Sequence, residues 1–488
     1  MDKQRAADAY ERYADTVVRA AWHYTGDIES AQDCAEEAFL RLLSQEDMTD
    51  GHILKQIVFF ALPLMLGNLF QMMYHTADTI VVGNFVGKEA LAAVGATSMI
   101  TNLAVFFFSG FSTGASVAIA RAFGAKNKEE VHSAVETAFT MTLLISAVFT
   151  AAGILLAKPV LRFMGTPEDV FPEAAKYLRI YFAGISGLLI YNIGSGILRS
   201  VGDSRRPLYF LIFTSTLNIL LDIVFVVFFR AGIAGVAWAT ILSQFLSAIF
   251  IVILLTGAED VYRLTWSDLR IDEKPLRTIL SIGLPAGIQS AFTALSNIVM
   301  QSYINSFGSD VMAGWSSYTK VDQFVMLPAS SMGIAATTFV SQNVGAEKMD
   351  RAERGCIHAA LTSVLVCGSI QVLSWIFAPM VMRLFSQEAS VIQAGVVFIR
   401  VNFLFITANV LDNVLMGTLR GYGDSQGPMI IMITTHVLFR QLYLYVVTRY
   451  IMNTPAAVGF AYPAGWLSCF MLLLAYYFYR RSRGFLRK

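Results

Sequence analysis

Two patterns of apolar and polar positions divide the chain. In residues 1–47, Tyr10, Tyr13, Val17 and Ala21 share one helical face, and Ala31, Cys34, Ala38 and Leu42 form a second stripe. Thr25-Gly26-Asp27 breaks the pattern between them, so this stretch predicts a soluble helical hairpin. From Ile53 onward long apolar segments replace the amphipathic stripes, at about 54–82, 90–122, 134–158, 177–199, 207–229, 233–256, 276–305, 311–343, 354–382, 390–419, 428–450 and 456–479. Each reaches the roughly 20 residues a helix needs to cross a bilayer. The pattern predicts an all-α polytopic membrane protein with twelve transmembrane helices. No cleavable leader precedes them, so the first span is expected to direct insertion.

Composition agrees. Charged residues make up 15% of the 488 and hydrophobic ones 56%; soluble domains carry about 25% charged residues. A net charge of +1 gives no reason to expect nucleic acid as a partner. Cys34, Cys356, Cys367 and Cys469 form no CxxC pair, so the spacing implies neither a disulfide framework nor a zinc site. Lys and Arg concentrate in the N-terminal flank, the even-numbered loops (Arg121, Lys126, Arg199, Arg205, Lys348 and Arg420 among them) and the C-terminal tail. This bias predicts that both termini are cytoplasmic.

The spans repeat. Asn84-Phe-Val-Gly87 returns as Asn305-Ser-Phe-Gly308, and Phe123-Gly-Ala125 as Val344-Gly-Ala346. Tyr177-Leu-Arg179 returns as Phe398-Ile-Arg400, and Leu198-Arg199-Ser-Val-Gly202-Asp203-Ser204 as Leu419-Arg420-Gly-Tyr-Gly423-Asp424-Ser425. Every pair is 221 residues apart, which marks an internal duplication. Six spans per half bring both halves into the membrane from the same side. Two six-helix bundles are then related by a pseudo-two-fold along the membrane normal and face each other across a cavity, as transporters require. The expected organisation is 1–47 soluble, 48–260 the first bundle, and 261–488 the second bundle with a basic tail.

Two motifs mimic enzymes. Gly110-Phe-Ser112-Thr-Gly114 fits a nucleophile elbow but lies within a span, where small residues serve close helix packing. Gly83-Asn-Phe-Val-Gly87-Lys88 is one residue short of a phosphate loop and has Glu89 where Ser or Thr belongs. No catalytic constellation and no nucleotide site is expected.

Ionisable groups within spans are costly and tend to be functional. Asp78 lies in the first span, Asn218 and Asp222 one turn apart in the fifth, and Thr240 in the sixth. Their depths match in the outer half of the first bundle. Two carboxylates, an amide carbonyl and a hydroxyl form a hard-oxygen set for Na⁺; close carboxylates can instead carry a proton. A purely structural role in bonding helix ends is the alternative. His75 is available for proton traffic or for packing. In the second half, Lys320 and Asp322 are expected to neutralise one another, Asp412 is a secondary candidate, and Arg440 is a further buried charge. Met and Phe are expected mainly toward lipid and core, with some lining an adaptable greasy pocket.

Two resemblances follow from these residues. The hairpin is similar to the start of region 2 of an extracytoplasmic-function sigma factor, without the promoter-reading parts; with Met48 following at once, a fusion or a misjoined frame is the expectation. Residues 48–480 resemble the multidrug and toxic compound extrusion (MATE) transporters. The likeness rests on Leu62-Pro63 and Leu284-Pro285, Asp78-Thr79-Ile-Val-Val-Gly83, Gln342-Asn343-Val-Gly345-Ala346 and the paired Leu-Arg-x-x-Gly-Asp-Ser loops. It implies two bundles in a V, exporting cationic and amphipathic drugs in exchange for Na⁺ or H⁺. It assigns Asp78, Asn218, Asp222 and Thr240 to the cation site. The NorM-like Glu of the seventh helix is missing, with Gln289 to Ala294 in its place, and the NorM-like Asp of the tenth falls at Asn409. The chain is thus closer to the DinF-like or MepA-like side. The expected partners are small drug molecules and the bilayer, with no cofactor beyond the coupling ion, in a monomer of the bacterial cytoplasmic membrane. A lipid-linked precursor flippase of the same superfamily is the alternative.

Overall fold

The computed structural model describes residues 47–484, so the expected hairpin at 1–47 lies almost wholly outside the described residues. Among the described residues, ten helices are long and apolar enough to span a membrane: α1 (Ile53–Val86), α2 (Glu89–Gly124), α3 (Lys128–Phe163), α5 (Arg205–Phe228), α6 (Gly232–Thr256), α7 (Glu273–Asn305), α8 (Ser309–Gly345), α9 (Met349–Ile376), α11 (Gln426–Ile451) and α12 (Pro455–Ser482). The fourth and tenth spans are not continuous rods as the sequence suggests. α4 joins Phe171–Ala183 to Ile185–Ser200 at 46°, and α10 joins Ala389–Phe403 to Ile406–Gly421 at 53°. The two breaks sit at repeat-equivalent places, beside Gly184 and Phe405.

The duplication extends to backbone conformation. Gly87 and Gly308, which precede α2 and α8, have φ of 118° and 92°; Lys126 and Glu347 have 56° and 58°; Gly202 and Gly423 have 91° and 83°. The last pair explains the repeated Gly-Asp-Ser loop. Glycine takes the left-handed conformation that ends a helix. The next residue then caps the following one: Asp203 accepts from the backbone N–H of Arg205 at 3.0 Å, and Asp424 from Gly427 at 3.0 Å.

Each half has its own core. Leu178, Phe182, Ile185 and Val236 anchor the first, and Trp315, Tyr318, Phe398 and Phe403 the second. Ile357, Leu361 and Leu365 are exposed at one-turn spacing on α9, a face suited to lipid rather than water. The first turns of α1 cross over, with Ile57 and Phe60 packing on Met332, Phe339 and Val414. A strap before α1 follows the same route. The Met48 backbone N–H donates to Gln342 Oε1 (2.9 Å), and Arg351 donates four hydrogen bonds to Met48, Asp50, Gly51 and Gln56.

The halves meet along a glycine seam. A Cβ on Gly110 or Gly114 of α2 would collide with the α7 backbone around Gly283 and Gly287, so the small residues of the elbow-like motif serve packing, as expected. Nearer the basic face, Gly124 touches Gln342 of α8, and Gly345 touches Arg121 of α2. Arg121 donates to the Gly421 carbonyl (3.2 Å) and Gln342 to the Ser200 carbonyl (2.8 Å). Both contacts and both hydrogen bonds are pairs under the 221-residue shift. They close the molecule on the face that carries the strap and the basic loops.

Candidate transport site

Above that closure lies a cavity of about 450 Å³ between the halves. Its wall is polar. Ser109, Ser112, Thr113, Ser116, Thr214 and Ser243 contribute hydroxyls from the first half, and Ser330, Thr337, Thr338 and Asn413 add polar groups from the second. No Phe lines it and Met416 is its one methionine; its apolar surface comes instead from Leu64, Leu188, Leu208, Leu211 and Ile334. Hydroxyls that return a bond to the preceding helical turn, as Thr214 does to the Phe210 carbonyl at 2.8 Å, can stand beside an aqueous cavity at little cost.

Arg199 and Arg420, which the sequence places with the basic loops, lie inside the last turns of α4 and α10 and line this cavity. Arg420 donates to Gln289 Oε1 at 2.9 Å. The Gln289 amide nitrogen faces the sulfurs of Met416 (3.2 Å) and Met432 (2.7 Å). An amide tying down an arginine thus occupies the region where the NorM-like branch carries its carboxylate.

In the first half, Asp78 and Asp222 lie close enough to act on one another electrostatically. Asp222 is fully buried and Asn218 is 2% exposed. Both Asp222 oxygens, both Asn218 side-chain atoms and Asp78 Oδ1 lack a hydrogen-bond partner. Burying a carboxylate without a donor is expensive, so such a cluster calls for a cation or a shared proton. Thr240 donates to the Val236 carbonyl at 3.0 Å, which leaves its oxygen lone pairs available. The orphaned oxygens fit a hard cation. Asn218 and Thr240 belong both to this set and to the cavity wall, whereas Asp222 lies one turn beyond Asn218, behind the wall. π-helical turns begin at Ile223, next to Asp222, and at Val82, one turn past Asp78. Such turns loosen the backbone ladder and recur at functional sites.

Three tyrosines escaped the sequence reading. Tyr177 lies within electrostatic reach of both carboxylates, and Tyr74 of Asp78. Tyr177 stacks on Tyr181 with centroids 6.2 Å apart. Tyr74 stands one turn before Asp78 on α1, as its spacing allows, whereas only the fold brings Tyr177 to the acids.

The secondary candidates separate. His75 is exposed, packs its ring at a tilt against Tyr74 (4.1 Å between centroids) and makes no ion pair with Asp78. Lys320 and Asp322 do not pair. They are two residues apart on a helix and so point in different directions. Lys320 is exposed, whereas Asp322 turns toward Tyr318 and Tyr462. Arg440 is satisfied by Ser296, Asn297 (2.9 Å) and the Tyr462 ring, 4.8 Å away. Asp412 is fully buried beside Cys469, with both oxygens unpartnered.

Comparison with known proteins gives a consistent result. The MatE family pattern matches residues 63–224 and again 285–446, one copy in each half. The chain is 30% identical over 442 residues to the probable multidrug resistance protein YpnP of Bacillus subtilis, covering 90% of this chain and 97% of that protein. It is 29% identical over 429 residues to the probable multidrug resistance protein YoeA of the same organism, covering 86% and 92%. A solved structure described as the outward-facing conformation of a multidrug resistance MATE family transporter superposes with a TM-score of 0.85 at 24% identity, covering 91% of this chain and 99% of that one. With both halves matched and a two-bundle helical fold, the chain belongs to the MatE family of multi-pass membrane transporters.

Proposed function

We propose that this protein is a secondary antiporter that exports amphipathic organic compounds through the central cavity in exchange for Na⁺ or H⁺. One observation carries the reading. Asp78, Asn218 and Asp222 gather buried, unpartnered oxygens against one wall of a cavity that is closed on the basic face. The names of YpnP and YoeA as probable multidrug resistance proteins support export of drugs. Asp78 and Asp222 hold the coupling ion, Asn218 and Thr240 complete its oxygen shell, and Tyr177 and Tyr74 shield it. Since Asn218 and Thr240 also face the cavity, filling the ion site changes the wall that an exported compound touches. Ion and substrate are thereby coupled without sharing every contact. The lipid-precursor flippase is less well supported: among the described residues the cavity carries two arginines and no lysine, and its remaining lining mixes hydroxyls and amides with leucine, isoleucine and proline side chains.

Purified protein in liposomes tests this. An imposed Na⁺ or pH gradient should drive ethidium against its own gradient in the wild type and not in Asp222→Asn. Gradient-driven transport by Asp222→Asn at the wild-type rate would refute the assignment. The gradient that drives the wild type identifies the ion.

A further inference from the structure

Asp412 of α10, His436 of α11 and Cys469 of α12 come from three helices, and the coupling scheme makes no use of them. Their donor atoms all lie within 4.8 Å of one another. The three residues are 0%, 3% and 0% exposed. Both Asp412 oxygens and His436 Nε2 lack a hydrogen-bond partner. The ordinary rescue for a buried carboxylate, a nearby cation, is missing here. Arg440 is one turn from His436, but it spends its guanidinium on Ser296, Asn297 and Tyr462 and makes no ion pair with Asp412.

The histidine is oriented for ligation. The Thr435 hydroxyl donates to the Ile431 carbonyl (2.8 Å), so toward His436 Nδ1, 3.2 Å away, it offers a lone pair. With that hydroxyl donating to the carbonyl, the tautomer that completes the contact carries its hydrogen on Nδ1 and leaves Nε2 a bare lone pair. This is the outer-shell arrangement that holds metal-binding imidazoles in place. His436 also lies in the π-helical stretch Ile433–Phe439, where the backbone departs from the regular ladder.

We propose that Asp412, His436 and Cys469 bind one zinc-type transition-metal ion in the second half of the protein. One sulfur, one imidazole nitrogen and one carboxylate oxygen, with a fourth position open, form a donor set for a borderline-soft ion. The N-terminal site offers side-chain oxygens alone and suits a different class of cation. Zinc bonds of about 2.0–2.3 Å set tetrahedral ligands about 3.5 Å apart, so the donors need to close by no more than about 1.3 Å on binding. The thiol loses its proton to solvent as the S–metal bond forms. The thiolate and the carboxylate then neutralise a divalent ion, which suits a buried site. Asn413 and Met416 line the cavity, next to Asp412 and one turn beyond, and Met432 lies one turn before His436, so the cavity wall is close to the site in sequence. The thioethers of Met416 and Met432 meet at Gln289.

The test uses the purified full-length protein, stripped with chelator and titrated with Co²⁺ as an optical stand-in for Zn²⁺. The wild type should take up one equivalent, show a thiolate-to-cobalt charge-transfer band with tetrahedral visible bands, and lose both to one equivalent of Zn²⁺. Cys469→Ser should abolish the charge-transfer band, and Asp412→Asn should weaken Co²⁺ binding at least tenfold. Cys356→Ser and Cys367→Ser should leave the spectrum unchanged. A featureless wild-type titration would overturn the proposal and leave a hydrogen-bonded thiol–carboxyl cluster in its place. A band that survives in Cys469→Ser would overturn it too. Zinc content after dialysis, compared between wild type and Asp412→Asn, gives a second readout that does not require the cysteine variant to fold; equal content would also overturn it. None of these readouts depends on drug transport.

Discussion

Gly124→Ala is expected to unlock the basic face. Gly124 packs against the Gln342 backbone, and its repeat mate Gly345 against the Arg121 backbone. A methyl group at 124 meets the carbonyl oxygen, carbonyl carbon and Cα of Gln342, and backbone atoms cannot rotate away. Restoring ordinary contact at about 3.5–4.0 Å requires α2 and α8 to separate by on the order of 1 Å. That separation also stretches the Arg121–Gly421 and Gln342–Ser200 hydrogen bonds. Overpacking of this kind costs about 1–3 kcal/mol. The cost falls only on the conformation whose basic face is closed, so the ratio of open to closed molecules should rise about 5- to 150-fold. Gly345→Ala should act alike, and the double variant should be less than additive because one opening relieves both clashes. Pulsed electron paramagnetic resonance between labels at Lys128→Cys and Asp350→Cys, in a Cys34→Ser background, reads the opening directly. Gly95→Ala, where no atom lies within 4 Å of the added methyl, is the control. An unchanged distance distribution in folded Gly124→Ala would refute the seam as the lock.

Three further outcomes are expected. Asp222→Asn removes a buried charge that no donor meets and should stabilise the purified protein by about 1 kcal/mol in thermal unfolding; a lower midpoint than wild type would show that the carboxylate is structurally satisfied. Arg351→Ala should speed hydrogen exchange in residues 48–51 at least tenfold, because a charged hydrogen-bond group is worth about 1.5–3 kcal/mol; unchanged protection would mean that the strap is held from elsewhere. Asp203→Ala should cost about 1 kcal/mol as a lost helix cap. Asp424→Ala should cost at least as much, since Asp424 accepts from Tyr476 (2.6 Å) and pairs with Arg480 (3.2 Å) where Asp203 pairs with Arg206; a loss well below that of Asp203→Ala in unfolding experiments would contradict this.

The membrane architecture was legible because hydropathy and a constant repeat spacing are properties of the chain alone. Twelve spans, two halves and the pairing of Gly202-Asp203 with Gly423-Asp424 follow from them. The bends in α4 and α10 carried no such signal, since apolarity runs through both breaks. Asp78, Asn218, Asp222 and Thr240 stood out as polar residues at matched depth. Tyr177 did not, because only helix packing turns it toward the acids; Tyr74, one turn before Asp78 on α1, shares its face by spacing but is not an ionisable residue that stands out in a span. Reading Lys320 and Asp322 as partners failed on helix geometry, which separates residues two apart. Arg199 and Arg420 were read as loop charges because the helices continue one turn past the apolar run. Asp412, His436 and Cys469 lie on three separate helices, so no spacing rule could group them.

The most direct test of the account is ethidium efflux from pump-deficient bacteria expressing wild type, Asp78→Asn or Asp222→Asn at matched levels, with and without Na⁺. The account predicts efflux by the wild type and its loss in both variants. Wild-type efflux in either variant would remove that carboxylate from coupling, and in both would leave the central claim without support.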